Sequence, residues 1–133
     1  MTPEEIPRIR LVGVPDDAVS VVRGGQLDVT VLRSDAERFR RRFRAWGRFG
    51  VSALLARDNP EIDALCLASL ERYGTVVVFR RSDLLALGLQ VVPTFRRPHV
   101  TVAHEDLDAL VSGLLACDHI ETENPYHDHW GGG

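Results

Sequence analysis

The sequence contains no lysine, so all 16 of its basic residues are arginines, and 19 acidic residues bring the formal net charge to −3. A negative total argues against a general nucleic-acid coat protein, but it is compatible with a local basic patch, because only the local field matters at a binding face. No apolar run approaches the roughly 20 residues that cross a bilayer, and the acidic start MTPEEIPRIR is not typical of a secretory signal. We therefore expect a cytoplasmic protein without membrane contact.

Cysteine is scarce, since the chain has only Cys66 and Cys117. Each lies in an apolar-periodic stretch, which favours buried free thiols over a disulfide. The glycine-rich fingerprints of nucleotide cofactors and the Cys-x-x-Cys pair are also missing, and the sequence therefore predicts no cofactor. Histidine and acidic residues gather near the C-terminus, but their spacing matches no specific zinc pattern, so we predict no metal site.

The length and composition predict one domain with a sizeable core, since 44% of the 133 residues are hydrophobic and 26% are charged. Helical and strand patterns are mixed without strict alternation. This predicts an α+β fold with a small mixed sheet of about five to six short strands, packed by three to four helices. We expect the domain to span residues 1–118 and residues 119–133 to form a polar C-terminal tail.

Periodicity and end signals place the individual elements. Strands are predicted over residues 8–14, 18–25, 49–56, 75–79, 89–93 and 99–103. Helices are predicted over residues 34–47, 59–74, 82–88 and 105–118. Ser34 and Glu37 form a capping box that predicts the start of the first helix, and Asn59 is the predicted N-cap of the second. Residues 26–33 fit either a short strand or the approach to the first helix.

The stretch FRRPHVTVAHED (95–106) places a histidine and a threonine on one face of a predicted strand, behind two arginines. In the functional interpretation His99 is a general acid or base, Arg96 and Arg97 hold a phosphate, and the Thr101 hydroxyl binds the substrate. HVTV resembles one copy of the signature of the 2H phosphoesterases. No histidine precedes position 99 to supply the second copy, and the later HIET (119–122) has Glu121 where the hydroxyl belongs, so we exclude that family. The alternative is a strand-end histidine bonded to backbone.

The segments VVRGG (21–25) and FGVSAL (49–54) place an arginine and a serine on two strands separated by a helix. They resemble two of the three motifs of the ADP-ribosyltransferases of the Arg-Ser-Glu class. The resemblance implies that Arg23 holds the pyrophosphate of NAD, that Gly24 allows close backbone approach, and that Ser52 supports the nicotinamide pocket. NAD is expected as a cofactor only under this resemblance.

The third motif of that class, a late strand with the catalytic glutamate, is missing from the chain. Under the resemblance, Glu105, Glu121 or Glu123 would have to lie near Arg23 and Ser52 to replace it. The alternative is that the arginine merely ends a strand before a turn and the serine belongs to a buried strand.

Six arginines crowd the first predicted helix and its end: Arg38, Arg40, Arg41, Arg42, Arg44 and Arg48. Phe39, Phe43 and Trp46 form one face of that helix at spacings of four and three residues. Like charges four residues apart repel each other, and no acidic residue lies between positions 37 and 58 to offset them. The helix either contacts phosphates or an acidic partner, with Arg41 as a substrate-binding residue, or it is solvated and its arginine stems cover apolar surface.

Three functional hypotheses follow from these segments. The first is a small toxin-like enzyme of the toxin–antitoxin or phage-defence type that acts on RNA or a nucleotide, with Arg23, Ser52 and His99 as its catalytic residues. It predicts that these residues converge on one cleft. The second is a non-catalytic module whose arginine-rich helix binds nucleic acid or an acidic protein such as an antitoxin, with His99 and Arg23 far apart. The third is an ADP-ribosyltransferase-like domain.

Overall fold

The computed structural model describes residues 19–95 and 98–127. In these ranges the elements are β1 (Ser20–Gly24), α1 (Val29–Arg42), β2 (Phe49–Ala56), α2 (Asn59–Ala68), β3 (Thr75–Arg80), α3 (Arg81–Ala86), β4 (Gln90–Pro93), β5 (His99–His104), α4 (Leu107–Ala116) and β6 (His119–Glu123). One six-stranded sheet and four helices confirm the predicted α+β class. The predicted strand over residues 8–14 lies outside the described residues.

The strands follow the order β4-β5-β2-β1-β3-β6 across the sheet, and all five pairings are antiparallel, so the sheet is not mixed in strand direction. Side chains alternate between the two faces of a strand, and both faces of the central strands are covered. One face packs against α1, α3 and α4, and its core includes Val21, Val77 and Phe79. The opposite face packs against α2 through a smaller cluster that includes Val22 and Cys66.

Helix α1 begins earlier than the capping box predicts. Its N-cap is Asp28, whose carboxylate accepts a hydrogen bond from the Val31 backbone N–H at 3.0 Å. Ser34 therefore lies inside the helix, and residues 29–32 of the ambiguous segment 26–33 supply its first turn. An aspartate directly before Val29 caps as well as a serine does, and Leu32, which is fully buried, anchors the added turn in the core.

Helix α2 is shorter than predicted. Asp58, rather than Asn59, is its N-cap, and the helix ends at Ala68 with Ser69 as the C-cap. Residues 69–74 form a turn because the Leu70 N–H bonds to the Leu65 carbonyl, one residue further back than in a regular α-helix. This turn carries two exposed or half-exposed side chains, Arg72 and Tyr73, over the sheet.

The described part of the segment that was predicted to be a polar tail, residues 119–127, belongs to the fold, and residues 128–133 lie outside the described residues. Residues 119–123 form the edge strand β6, which pairs with β3, and the side chain of Asn124 is buried. Its amide nitrogen donates to the backbone oxygens of Cys66 at 3.1 Å and Leu70 at 2.9 Å. All five residues of β6 are exposed, as their mostly polar side chains would suggest for a tail, but backbone pairing with β3 places the strand in the sheet.

Two further predictions concern the state of the cysteines and the presence of membrane spans. Cys66 and Cys117 are buried and free, as predicted. Within residues 19–95 and 98–127 no helix is long and apolar enough to cross a membrane.

Candidate functional site

The site begins where two central strands separate. β1 and β2 pair from Ser20 and Ala56 to Val22 and Leu54, and the pairing ends there. The side chain of Arg23 lies at this point. One guanidinium nitrogen, Nη1, donates to the backbone oxygen of Ser52 at 2.8 Å, while Nη2 donates to Oδ2 of Asp35 in α1 at 2.7 Å. The guanidinium thus bridges a strand and a helix, and 12% of its side chain is exposed.

Arg23, Ser52 and His99 line one pocket of about 300 Å³. The sheet brings them together because Val22 pairs with Leu54, and Leu54 pairs with His99 on the next strand. Neighbouring strands lie about 4.8 Å apart, so the backbones of Val22 and His99 are about 10 Å apart. The turn after α2 closes the pocket on the other side with Ser69, Leu70, Arg72 and Tyr73.

A second pocket, of about 350 Å³, adjoins the first, because Arg23, Ser52, Arg72 and Tyr73 line both. Its other lining residues are Asp35, Arg38, Phe39, Arg42, Phe43, Gly50, Val51 and Phe95. We call the two adjoining pockets the groove. Four arginines and one aspartate line it among the described residues, so the groove carries a positive charge although the whole chain is negative.

The imidazole of His99 is held from one side. Nδ1 lies 2.9 Å from Oγ1 of Thr94 and 3.2 Å from its backbone oxygen. A carbonyl only accepts hydrogen bonds, so a proton on Nδ1 satisfies this geometry and leaves Nε2 as the unprotonated nitrogen. Burial lowers the pKa of His99 below its ordinary value of 6.5, against the opposing effect of the hydrogen bond to Thr94. The lowered pKa favours the neutral ring at pH 7, the form in which Nε2 is able to accept a proton.

Thr101, a predicted substrate-binding residue, does not face the groove. It is 1% exposed, and its hydroxyl lies 2.7 Å from that of Thr94. Thr101 therefore supports Thr94, which in turn holds His99, and it has no surface with which to bind a ligand directly. Sequence alternation places Thr101 correctly on the face of His99, but it does not show that Thr94 covers it.

Some of the other predicted site residues line the groove and some do not. Arg23, Ser52 and His99, the three predicted catalytic residues, lie in one pocket. Arg41 is exposed on α1 and lines neither pocket. Arg96 and Arg97 lie outside the described residues.

Sequence reasoning missed the contribution of the turn after α2. Arg72 stacks on Tyr73, with its guanidinium carbon 4.9 Å from the ring centroid, and donates to the phenol oxygen at 2.9 Å. The Tyr73 ring lies on Gly24, where an added Cβ would be 2.2 Å from a ring carbon. The glycine that follows Arg23 allows this close contact, but the helix predicted over residues 59–74 gave no reason to place Tyr73 there.

The glutamates required by the ADP-ribosyltransferase resemblance lie elsewhere. Glu105 accepts a hydrogen bond from Arg48 at 2.9 Å, and Glu121 and Glu123 are exposed on the edge strand β6. None of these three glutamates lines the groove. Within the part of the chain that the structure describes, no glutamate therefore lies beside Arg23 and Ser52 in the groove, where the resemblance requires one. The same part contains no group of three or more histidine, cysteine or acidic side chains able to hold a metal ion.

Comparison of the chain with models of protein families, with curated proteins and with solved structures finds no match. The fold and the site define a small α+β protein with an arginine-lined groove and a neutral histidine, and the functional inference rests on that groove.

Proposed function

We propose that this protein is a small cytoplasmic enzyme of the toxin–antitoxin or phage-defence type that acts on RNA or on a nucleotide. The observation that carries the proposal is the convergence of Arg23, Ser52 and His99 on one pocket. The competing hypothesis of a non-catalytic module predicts that Arg23 and His99 lie far apart. Phosphate chemistry requires fixed positive charge and a base, and the groove has both.

Each side chain has a role that follows from its environment. The guanidinium of Arg23 is oriented by Asp35 and by the Ser52 carbonyl, so it presents a fixed positive charge to a phosphate. Arg72 is exposed at the opposite wall and adds a second charge. The Ser52 hydroxyl makes no hydrogen bond to another described residue and can donate to a phosphate oxygen. Nε2 of His99 accepts the proton of the attacking hydroxyl as a general base. As that oxygen bonds to the phosphorus, the phosphorus–oxygen bond to the leaving group breaks, and the leaving oxygen takes a proton from water.

The proposal is tested with a matched pair of histidine variants. In His99→Asn, the shorter amide keeps a polar group near Thr94 but removes Nε2, so we expect cleavage of single-stranded RNA, or turnover of a nucleotide, to fall at least about 100-fold. His104→Asn at the other end of β5 keeps an acceptor for the Asp106 N–H, and it should retain activity.

The assay follows RNA integrity and nucleotide pools after induced expression in a bacterial host, then in purified reactions, with folding checked by circular dichroism. Growth arrest and RNA or nucleotide loss that depend on His99 support the proposal. Equal behaviour of the wild type and His99→Asn in folded protein would contradict a catalytic role for the pocket.

The second candidate is a binding module that uses the arginine-rich helix, and one observation favours it. Arg41 is exposed outside the groove, whereas Arg42 lines it. The comparison of Arg41→Gln with Arg42→Gln therefore separates the two functions, because both changes remove one charge from adjacent helix positions. If ligand binding occurs in the groove, Arg42→Gln weakens RNA binding more. A larger effect of Arg41→Gln would favour the outer face, to which an acidic partner such as an antitoxin would bind.

A further inference from the structure

The second pocket of the groove has an aromatic wall. Phe39 and Phe43 lie with their ring centroids 4.8 Å apart, and Phe95 lies 5.7 Å from Phe43. Phe43 is 5% exposed and backs the wall, whereas Phe39 and Phe95 are half-buried and present ring surface to the pocket. Gly50 allows this arrangement, because a Cβ there would lie 2.5 Å from Thr101 and 2.9 Å from the Phe39 ring.

Phe95 has an unusual backbone conformation. Its φ is +61°, and it is the one described residue other than glycine with a positive φ. A bulky residue in the left-handed region is strained, and such strain persists where neighbouring contacts impose it, often at ligand sites. Here the ring is held between Phe43 and His99, with its centroid 5.0 Å from that of His99 in an edge-on contact. Phe95 thus lies between the aromatic pocket and the histidine.

The rim of this pocket is positively charged. Arg38 and Arg42 line it, and the Arg42 guanidinium carbon lies 5.2 Å from the centroid of Phe43. The acidic lining residue, Asp35, is already hydrogen-bonded to Arg23 and lies 3.6 Å from Nη1 of Arg38. A flat apolar wall next to several guanidinium groups matches a ligand that joins an aromatic ring to a phosphate.

We propose that the second pocket holds the nucleobase of the substrate against Phe95, while the attached phosphate lies at Arg23 and Arg72. The substrate of the groove is then a nucleotide unit with an unpaired base, either free or within single-stranded RNA. A base stacked inside a duplex does not reach this wall, so double-stranded RNA binds poorly. This inference rests on the proposed function, since it names the substrate class of the same site.

The test compares ligands with and without a base. Binding of uridine or adenosine monophosphate and of ribose 5-phosphate is measured by calorimetry at low salt. The wild type should bind a nucleoside monophosphate about tenfold or more tightly than ribose 5-phosphate, which is within the range of one base–aromatic stack. Phe95→Leu should reduce that preference to under about threefold and leave ribose 5-phosphate binding unchanged, because the arginines remain.

Two controls keep the test decisive. Phe95→Gly removes the ring and also the strain of the positive φ, so it provides a folded variant if Phe95→Leu is unstable. Phe49→Leu changes a phenylalanine that packs against the main core and does not line the groove, and it should keep the preference for the base. A loss of preference in this variant as well would overturn the assignment to Phe95.

The outcomes separate the inference from the proposed function. Equal binding of the monophosphates and ribose 5-phosphate by the wild type would overturn the base pocket but leave a phosphate site intact. Binding of neither ligand, nor of a single-stranded tetranucleotide, would contradict both. If the tetranucleotide binds much more tightly than the monophosphate, the unit is taken from RNA, and similar affinities indicate a free nucleotide.

Discussion

At the scale of single residues, the imidazole of His99 shows how burial and one neighbour decide a protonation state. Thr94 holds Nδ1, the residue lines the first pocket, and burial lowers the pKa of the ring. The residue type alone allows either acid or base chemistry at neutral pH. The environment selects the neutral form, which is the form that a general base requires.

The lowered pKa of His99 predicts a pH dependence of stability. The folded chain binds this proton less readily than the unfolded chain, whose histidine titrates near 6.5, so the contribution of the neutral ring is complete above pH 6.5. It is lost as the pH falls below 6.5 and down to the folded-state pKa. Urea unfolding between pH 7.5 and 5 should show a fall in the free energy of unfolding that is smaller in His99→Asn than in His104→Asn. Identical pH dependence in both variants would contradict the assignment.

The close packing of Tyr73 on Gly24 predicts that a larger residue at position 24 destabilises the protein next to Arg23. In Gly24→Ala the new Cβ would lie 2.2 Å from the Tyr73 ring, so the ring must move. We expect destabilisation by about 1–3 kcal/mol in urea unfolding. Gly74→Ala is the matched control, because its Cβ would meet His127 at an ordinary contact distance of 3.4 Å, and its effect should stay within about 0.5 kcal/mol. Equal effects of the two substitutions would show that Tyr73 does not pack on Gly24 in solution.

At the scale of elements, the two ends of α1 serve different purposes. Near its start, Leu32 and Ala36 are fully buried against the sheet, and this part anchors the helix. Near its end, Arg38 and Arg42 line the groove while Phe43 backs the aromatic wall. Repulsion among the arginines is therefore offset by core packing at the start of the helix and by Asp35, which lies one turn before them.

At the scale of elements, we expect Asn124, the residue that follows β6, to hold this edge of the sheet against α2. In Asn124→Ala, the backbone oxygens of Cys66 and Leu70 lose a buried amide donor, and the Tyr126 N–H loses its acceptor. We expect the free energy of unfolding to fall by about 2–3 kcal/mol. Thr122→Ala, at an exposed position of β6, should cost under about 1 kcal/mol. If both variants unfold alike, Asn124 does not fasten this segment to α2.

At the scale of the whole molecule, the lining of the groove and the chain as a whole carry charge of opposite sign. The chain carries a net charge of −3, yet the groove is lined by four arginines and a single aspartate among the described residues. Under the proposed function, this positive lining attracts a short single strand to one face of the protein. Long-range attraction of this kind is screened by salt over about 10 Å at 0.1 M.

Ionic strength consequently distinguishes binding in the groove from binding across the outer helix. For single-stranded RNA, the logarithm of the affinity falls with the logarithm of salt concentration by about 0.7 per phosphate contacted. A groove that holds two or three phosphates predicts a slope of about −2, measured by fluorescence anisotropy from 50 to about 300 mM salt. A slope steeper than about −4 would show that Arg41 and the other outer arginines also contact RNA.

The site was predictable in parts, and the limit has a physical cause. Arg23, Ser52 and His99 are each polar residues on short, apolar strands, and that local contrast singled them out. The sequence assigned them to two unrelated constellations, because nothing local specifies that β5 pairs with β2 and that β2 pairs with β1. Arg72 and Phe95 could not be predicted as groove residues from such a local contrast. Arg72 reaches the groove because a turn follows α2, and Phe95 reaches it through a backbone conformation with a positive φ.

The sequence by itself determined the class of fold and the position of most elements, because apolar periodicity and capping residues act within a few positions of the chain. It failed at Asp28 and at β6, where burial of Leu32 and backbone pairing with β3 outweighed the local signals. Only the tertiary structure decided which polar residues meet, since strand order depends on contacts between distant segments. The groove depends on such contacts, because it forms where β1 and β2 separate and the turn after α2 closes over them.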